Sequence, residues 1–341
     1  MAGGAHRYSS PVSIAAVSYP PAGAPGPRLV TVRAPAKINL ALSVGAVRPD
    51  GFHDLVTVFH ALDLHDTVTA SAAETLGLVI TGAEGAGLVS DERNLAWRAA
   101  VLLAERSGIR SAVQLRLDKQ IPVAAGLAGG SADAAATLVA CQRLWRLRLS
   151  AHELDELAGQ LGSDVTFALH GRSAVGTGRG EQLADVLGGG QFHWVLAAAD
   201  GELSTPAVYT ELDRQRATAA GGRSARSRLG VAGSGKVDEL LTALCAGEPA
   251  RLAPLLSNDL QQPAIALAPY LSETLAAGTD AGALAGLVSG SGPTCAFLAR
   301  DAQHARQLAG TLSRSPSCRK AWPVLGGVPG ANVAEHRTGG N

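Results

Sequence analysis

The chain is poor in cysteine, and the four it has, Cys141, Cys245, Cys295 and Cys318, lie far apart. They form no Cys-x-x-Cys pair and have no paired histidines, which argues against a structural zinc and against a disulfide framework. A reducing, cytoplasmic compartment fits that usage. Net charge is missing too: 29 Lys and Arg balance 29 Asp and Glu. No overall field then draws the chain to nucleic acid or to an anionic membrane, and an anionic ligand has to be held locally. No apolar run approaches the roughly 18 residues that a membrane helix needs. Long repeats and heptads are absent. The first 27 residues, MAGGAHRYSSPVSIAAVSYPPAGAPGP, have too short an apolar core for a secretory signal and read as a disordered leader.

What is present suffices for buried cores. The 341 residues are 46% hydrophobic and 17% charged, a length that exceeds one typical core and implies about two domains. Apolar patterning predicts strands over Leu29 to Val47 and Thr57 to Ala70. From Asp91 the apolar residues Leu95, Ala99, Leu102 and Leu103 keep one helical face, ending near Gly108. Val113 to Ile121 alternates as a strand. Ser150 and Glu153 form a capping-box pattern that opens a helix stopping at Gly162. The break at Leu187 to Gln191 marks a domain boundary, with one domain over residues 28–190 and a second over 191–335. Five arginines between Arg214 and Arg228, among Ala, Gly and Ser with no aromatic to stack on a base, read as a solvated linker over about residues 214–230. Helical patterns resume at Val237, and Ala285 to Arg300 reads strand, glycine turn, strand.

Chemistry concentrates in Ile121 to Leu138, IPVAAGLAGGSADAAATL, where a strand runs through a glycine-rich turn into an alanine-rich helix. Gly126, Gly129 and Gly130 let main-chain amides approach a ligand. Ser131 reads as the N-cap, and the amides of the first turn carry about half a positive charge, a phosphate cradle. An ordinary strand-to-helix turn in a chain rich in Ala and Gly would share this pattern. Further along the helix, Ala134, Leu138, Cys141 and Trp145 share a core-facing side. A second candidate, GVAGSGK at Gly230 to Lys236, fits seven positions of the Walker A pattern but has Val237 where Ser or Thr would hold magnesium, and no buried strand precedes it.

Three further segments supply what a phosphate cradle would need. In APAKINL, Lys37 and Asn39 alternate with apolar neighbours and project from one side of a strand; alone, Lys37 reads as a strand-edge lysine in water. In LGSDVTF, Asp164 follows a helix end and precedes apolar residues, where it can serve as a base toward a hydroxyl; alone, it reads as a turn or N-cap aspartate. SGSGPT, Ser289 to Thr294, is a second small-residue turn that admits close backbone approach.

APAKINL near the start, PVAAGLAGGSADAA in the middle and SGSGPT near the end, in this order, resemble the three motifs of the GHMP kinases, the superfamily of galactose, homoserine, mevalonate and phosphomevalonate kinases. Within it, RPDGFHDLVTVFHALDLHDTVT, GSDV and GSGPTCAF are similar to the branch acting on a cytidine diphosphate-linked substrate. Members of that branch phosphorylate its 2-hydroxyl with ATP on the methylerythritol phosphate route to isoprenoids. The likeness runs from Val30 to Ala331. It implies an α+β, two-domain GHMP-kinase fold with the active site in the inter-domain cleft, and a small-molecule substrate rather than nucleic acid or membrane. It implies Lys37 and Asp164 as the catalytic pair. Pro122, Val123, Ala124, Ala125, Gly126, Leu127, Ala128, Gly129, Gly130, Ser131 and Ala132 match the ATP loop. Asn39 matches a substrate-side polar residue, Phe52 and His53 an aromatic-histidine pair on the cytosine, and Tyr209 the ring on the base's other face. Mg2+ comes with the nucleotide; Ser131 is a candidate ligand and no carboxylate stands out. Departures are Val123, Ala124, Ala125 and Ala128 where the family often has methionine and glycine, Thr166 where proline is usual, and Phe52 in place of a tyrosine.

Overall fold

The computed structural model describes residues 29–186, 188–199, 201–219 and 234–334. The expected leader lies outside them, as do residues 220–230 of the expected linker and most of GVAGSGK. The first half is organised by one long antiparallel hairpin, β1 (Leu29–Val47) and β2 (His53–Ala72). Alternation along β1 buries Val30, Val32, Ala34, Ala36, Ile38 and Leu40 on one side. The pairing slips between Pro35 and Ala36, between Asn39 and Ala41, and between Val44 and Val47; such bulges bend a strand and re-aim its side chains.

β3 (Gly77–Thr81) lies parallel to β4 (Val113–Asp118), which pairs antiparallel with β2. Between them runs α1 (Leu95–Arg106), capped by Asn94, whose side chain accepts from the Ala96 amide. The alanine-rich helix is α2 (Gly129–Leu144), with eleven residues buried, among them Ala134, Leu138 and Cys141. Small side chains all round let it lie deep between the hairpin and its helical neighbours. α3 (Ala151–Leu161) has the Ser150–Glu153 capping box in full. It turns at Gly162 into α4 (Ser163–His170), so Asp164 sits in a first helical turn rather than in a loop. β5 (Ser173–Thr177) pairs with β2, and β6 (Gln182–Asp185) with β5.

The chain then enters a second sheet region at β7 (Phe192–Ala198). α5 (Thr205–Ala219) follows, so residues 214–219 are helical and the linker reading fails there. Ala and Arg are good helix formers, and Val208 and Leu212 anchor the helix by burial. α6 (Ser234–Ala246), α7 (Pro249–Leu252), β8 (Ser257–Asn258), α8 (Gln261–Leu267) and α9 (Tyr270–Asp280) lead to β9 (Ala285–Val288) and β10 (Cys295–Leu298). α10 (Ala302–Leu312), β11 (Lys320–Gly326) and β12 (Asn332–Val333) complete the order.

The sheet runs β12-β1-β2-β11-β7-β10-β9. Its two halves meet at the pair Gly326 and Leu62, where a Cβ on Gly326 would come within 2.1 Å of His60 Nε2. β7 alternates strictly: Phe192, Trp194 and Leu196 join the core under α1 to α4, and Val195 and Ala197 face a second core against α5 and α8 to α10. β8 and β12 both return to the edge of β1 that β2 leaves free. Late segments of the chain therefore brace the hairpin that carries Lys37 and Asn39.

Candidate active site

The loop before α2 is shaped by its main chain. Ala124, Gly126 and Ala128 have φ of 51°, 74° and 59°. Ala128, not Ser131, is the N-cap, with no side-chain hydrogen bond, and Ser131 is the third residue of the helix. The sequence places the start too late because two glycines argue for loop, whereas the left-handed Ala128 closes the turn at once, with the Ala132 amide donating to Ala128 O at 2.9 Å. The amides of Gly129, Gly130 and Ser131 are then the orphan donors of the helix end. Gly126 is required by contact as well as by φ: a Cβ there would lie 2.1 Å from Ser289 O. Its carbonyl accepts from Ser289 Oγ at 3.0 Å and from Lys37 Nζ at 3.2 Å, so the loop, the SGSGPT turn and β1 meet at one atom.

Lys37 is buried, with 7% exposure. Its ammonium donates to Asn39 Oδ1 at 2.9 Å and lies 3.6 Å from Asp164 Oδ2. Asn39 Nδ2 donates to Thr57 Oγ1, which donates to Ala41 O, each at 2.8 Å. This chain fixes the amide so that its oxygen faces the lysine. Asp164 is 30% exposed in its side chain and stands at a helix N-terminus, where a carboxylate is favoured. Thr166, where the family usually has proline, is buried and its Oγ1 has no protein partner.

Farther along, the β1–β2 turn presents Phe52 and His53, and α5 presents Tyr209. The rings of His53 and Tyr209 are 5.1 Å apart and tilted by 35°, while His53 Nε2 is 3.0 Å from Asp213 Oδ1. Burial, aided by the nearby Asp164 charge, pushes the Tyr209 hydroxyl up to about 12, so it stays a neutral donor. Phe52 is 54% exposed and carries the Arg179 guanidinium 4.5 Å above its ring.

A buried ion network closes the other end. Lys119 donates to Asp66 and, at 2.7 Å, to Asp133 Oδ2. Burial is the largest influence on Lys119 and opposes its charge, but Asp133 and Asp66 together raise its pKa. Burial lifts the Asp133 carboxyl well above the usual range. Asp66 also accepts from the Gln120 and Ile121 amides at 2.6 and 2.9 Å, so it holds the entry to the loop.

These groups line one cavity of about 1200 Å3. Lys37, Asn39, Phe52, His53, Asp164 and Tyr209 all face it, as do Pro122 to Gly126 and Ala128 to Gly130. Leu127, Ser131 and Ala132 do not line it; Leu127 and Ala132 are buried behind the loop. Sequence reasoning missed Asp213, Arg179, Lys119 and Asp133. Only Asp213 had a local signal, lying four residues after Tyr209 and hence on its helix face. The cavity's volume lies above the roughly 300–1,000 Å3 of a single-ligand pocket.

Comparison with known proteins decides the family. Residues 94–172 match the GHMP kinases N terminal domain, and residues 240–317 the GHMP kinases C terminal domain. Over 307 residues the chain is 53% identical to a 4-diphosphocytidyl-2-C-methyl-D-erythritol kinase from Rhodococcus jostii (strain RHA1), covering 90% of this chain and 96% of that one. The chain belongs to the 4-diphosphocytidyl-2-C-methyl-D-erythritol kinase family. A crystal structure of a 4-(cytidine 5'-diphospho)-2C-methyl-D-erythritol kinase superposes with a TM-score of 0.68 at 34% identity, covering 87% of this kinase and 99% of that chain. A homoserine kinase from Cytophaga hutchinsonii reaches 0.70 at 19% identity, covering 90% and 98%. That likeness is one of fold, and a fold by itself does not fix the acceptor. The two-domain α+β architecture is that of the family.

Proposed function

We propose that the kinase transfers the γ-phosphoryl group of ATP to the 2-hydroxyl of 4-diphosphocytidyl-2-C-methyl-D-erythritol, giving the 2-phosphate for isoprenoid precursor synthesis by the methylerythritol phosphate route. One observation carries this reading: a single cavity is lined by the Lys37–Asp164 pair, by the glycine loop and by Phe52, His53 and Tyr209. ATP occupies the loop end, its phosphates on the orphan amides of α2. Cytosine lies in the slot between the Phe52 and Tyr209 rings, with His53, oriented by Asp213, on its edge.

Asp164 takes the proton of the acceptor hydroxyl as its oxygen attacks the γ-phosphorus and the bond to the ADP oxygen breaks. Lys37 holds Asp164 in place and offsets the negative charge that builds on the transferred group. Positioning and electrostatics supply most of the acceleration in phosphoryl transfer. Magnesium enters as part of the nucleotide substrate. Among the described residues no group of three or more His, Cys, Asp or Glu side chains is placed to hold a metal, and Ser131 does not line the cavity. Magnesium would neutralise charge on the phosphates of the bound nucleotide. We place the domain boundary between β6 and β7, near residue 190, and the reaction in the cytoplasm.

The test is ADP release by purified protein with ATP and magnesium, comparing 4-diphosphocytidyl-2-C-methyl-D-erythritol with homoserine and mevalonate. Turnover confined to the cytidine compound is the expected result. Turnover with another acceptor overturns the substrate, and ATP binding without turnover overturns the activity.

A further inference from the structure

We infer that Arg216 is a positioning residue for the base slot: with Asp259 it locks the face of α5 that carries Tyr209 and Asp213 onto the strand end that leads to Phe52 and His53. The inference rests on the substrate reading above and specifies what sets the geometry of that end of the site.

The open edge of β1 requires such a device. β8 covers this edge only through the pairs Ala41 with Ser257 and Leu42 with Asn258, and the Asp259 amide then donates to Leu42 O at 2.9 Å. At Val44 no strand follows, and its two main-chain polar groups go to side chains instead. The Val44 amide donates to Asp259 Oδ2 at 2.9 Å, and Arg216 Nη2 donates to Val44 O at 2.8 Å. Arg216 also reaches Gly45 O at 3.2 Å through Nη1 and Asp259 Oδ2 at 3.2 Å through Nη2. An ion pair thus does for a frayed edge what a neighbouring strand does elsewhere.

The location matters more than the number of bonds. The β1–β2 register slips between Val44 and Val47, and the next pair is Val47 with His53. The clamp therefore grips the hairpin at the irregularity from which the base wall extends. On the other side, Tyr209, Asp213 and Arg216 are spaced by four and three residues along α5, which puts them on one helical face. Fixing Arg216 fixes the rotation and height of the whole face, and with it the 3.0 Å contact of Asp213 with His53. A guanidinium suits the task because its planar fork can serve two successive carbonyls and a carboxylate together, which a single ammonium cannot. Both side chains are about 40% exposed, at 36% and 41%; exposed pairs add little to folding stability. Their effect belongs in the slot.

Steady-state kinetics with ATP and 4-diphosphocytidyl-2-C-methyl-D-erythritol test this on the unaltered enzyme and on Arg216→Gln, Arg216→Lys and Asp259→Asn. Arg216→Gln should raise the KM for the cytidine substrate about tenfold, the size of one lost charge-assisted hydrogen bond. The KM for ATP and the saturated kcat should stay within about twofold, as expected when only ground-state binding is lost. Arg216→Lys should recover part of the loss, and Asp259→Asn should move the same constant in the same direction. An unchanged KM for the cytidine substrate, or equal rises in both KM values, overturns the inference. An unaltered enzyme that does not turn over the cytidine compound instead removes the substrate reading, which separates the two failures.

Discussion

At the loop end of the cavity the ligand-facing groups are main-chain amides held by backbone geometry, whereas at the base end they are side chains brought together across the sequence. Gly126 O, packed against Ser289 and reached by Lys37, is buried among three segments that each read as a motif. His53 and Asp213, by contrast, are 160 positions apart and meet at a half-exposed edge. Main-chain amides can serve as phosphate donors only where the chain path itself is held, as it is at Gly126 and Ala128. The proposed slot for the base depends instead on side chains, which can change while the backbone stays.

The comparison breaks most sharply at Asp164. Asp164→Asn keeps shape and removes the base, so kcat should fall about 10^2- to 10^4-fold, the usual range for a general base. ATP affinity measured by calorimetry should change by less than about threefold, because binding energy resides in the loop. A rate within tenfold of the parent would remove the base role. Gly126→Ala attacks the loop itself. The added Cβ meets Ser289 O in a backbone conformation that L residues rarely adopt, and the cost should be about 3 kcal/mol in chemical denaturation, with loss of ATP binding. A normally stable variant would show that the contact between loop and turn is slack.

The same contrast explains what the sequence discloses. Lys37, Gly126 and Asp164 are legible because each lies in a short run whose residue types have a local reason: alternation on a strand, a turn that needs glycine, an acid after a helix stop. The start of α2 is not legible because a left-handed alanine is rare and two glycines follow it, so residue types point to loop where the helix has already begun. The arginines after Asp213 read as linker because they stand among Ala, Gly and Ser, yet Arg214 and Arg216 lie on α5, where burial of Val208 and Leu212 holds the helix. Arg179 and the Lys119 network depend on pairings between distant strands and helices, and one chain without its topology holds no trace of those; Asp213 shows only as a neighbour of Tyr209 on one helix face.

At the base end the expected effect is smaller and selective. Tyr209→Ala removes one wall of the slot; stacking of a base on an aromatic ring is worth about 1–3 kcal/mol. The KM for the cytidine substrate should rise about tenfold to a hundredfold while that for ATP stays put. A change confined to ATP would place the ring in the wrong half of the cavity.

The smallest effect is also specific to one end. α4 carries Asp164 in its first turn and ends with His170, whose Nε2 is 2.8 Å from Asp155 Oδ1 on α3. The Asp155 hydrogen bond raises the pKa of His170, against the opposing pull of burial; a cation in a last helical turn is favoured as well. A pKa raised on folding means that the contribution to stability is fully present below the unfolded value near 6.5 and is lost as pH rises through the higher folded value. The stability gap between the parent and His170→Gln should therefore be widest near pH 5.5, at most about 1 kcal/mol for so small a partly exposed pair, and narrow by pH 8.5. The KM for the cytidine substrate should not follow it, because α5 and the β1–β2 turn form the slot without α4. Denaturant midpoints and substrate titrations at the two pH values decide it. A gap that does not vary with pH would show that His170 acts by packing alone, and a KM that tracks the gap would show that the two ends of the cavity are mechanically joined through α4.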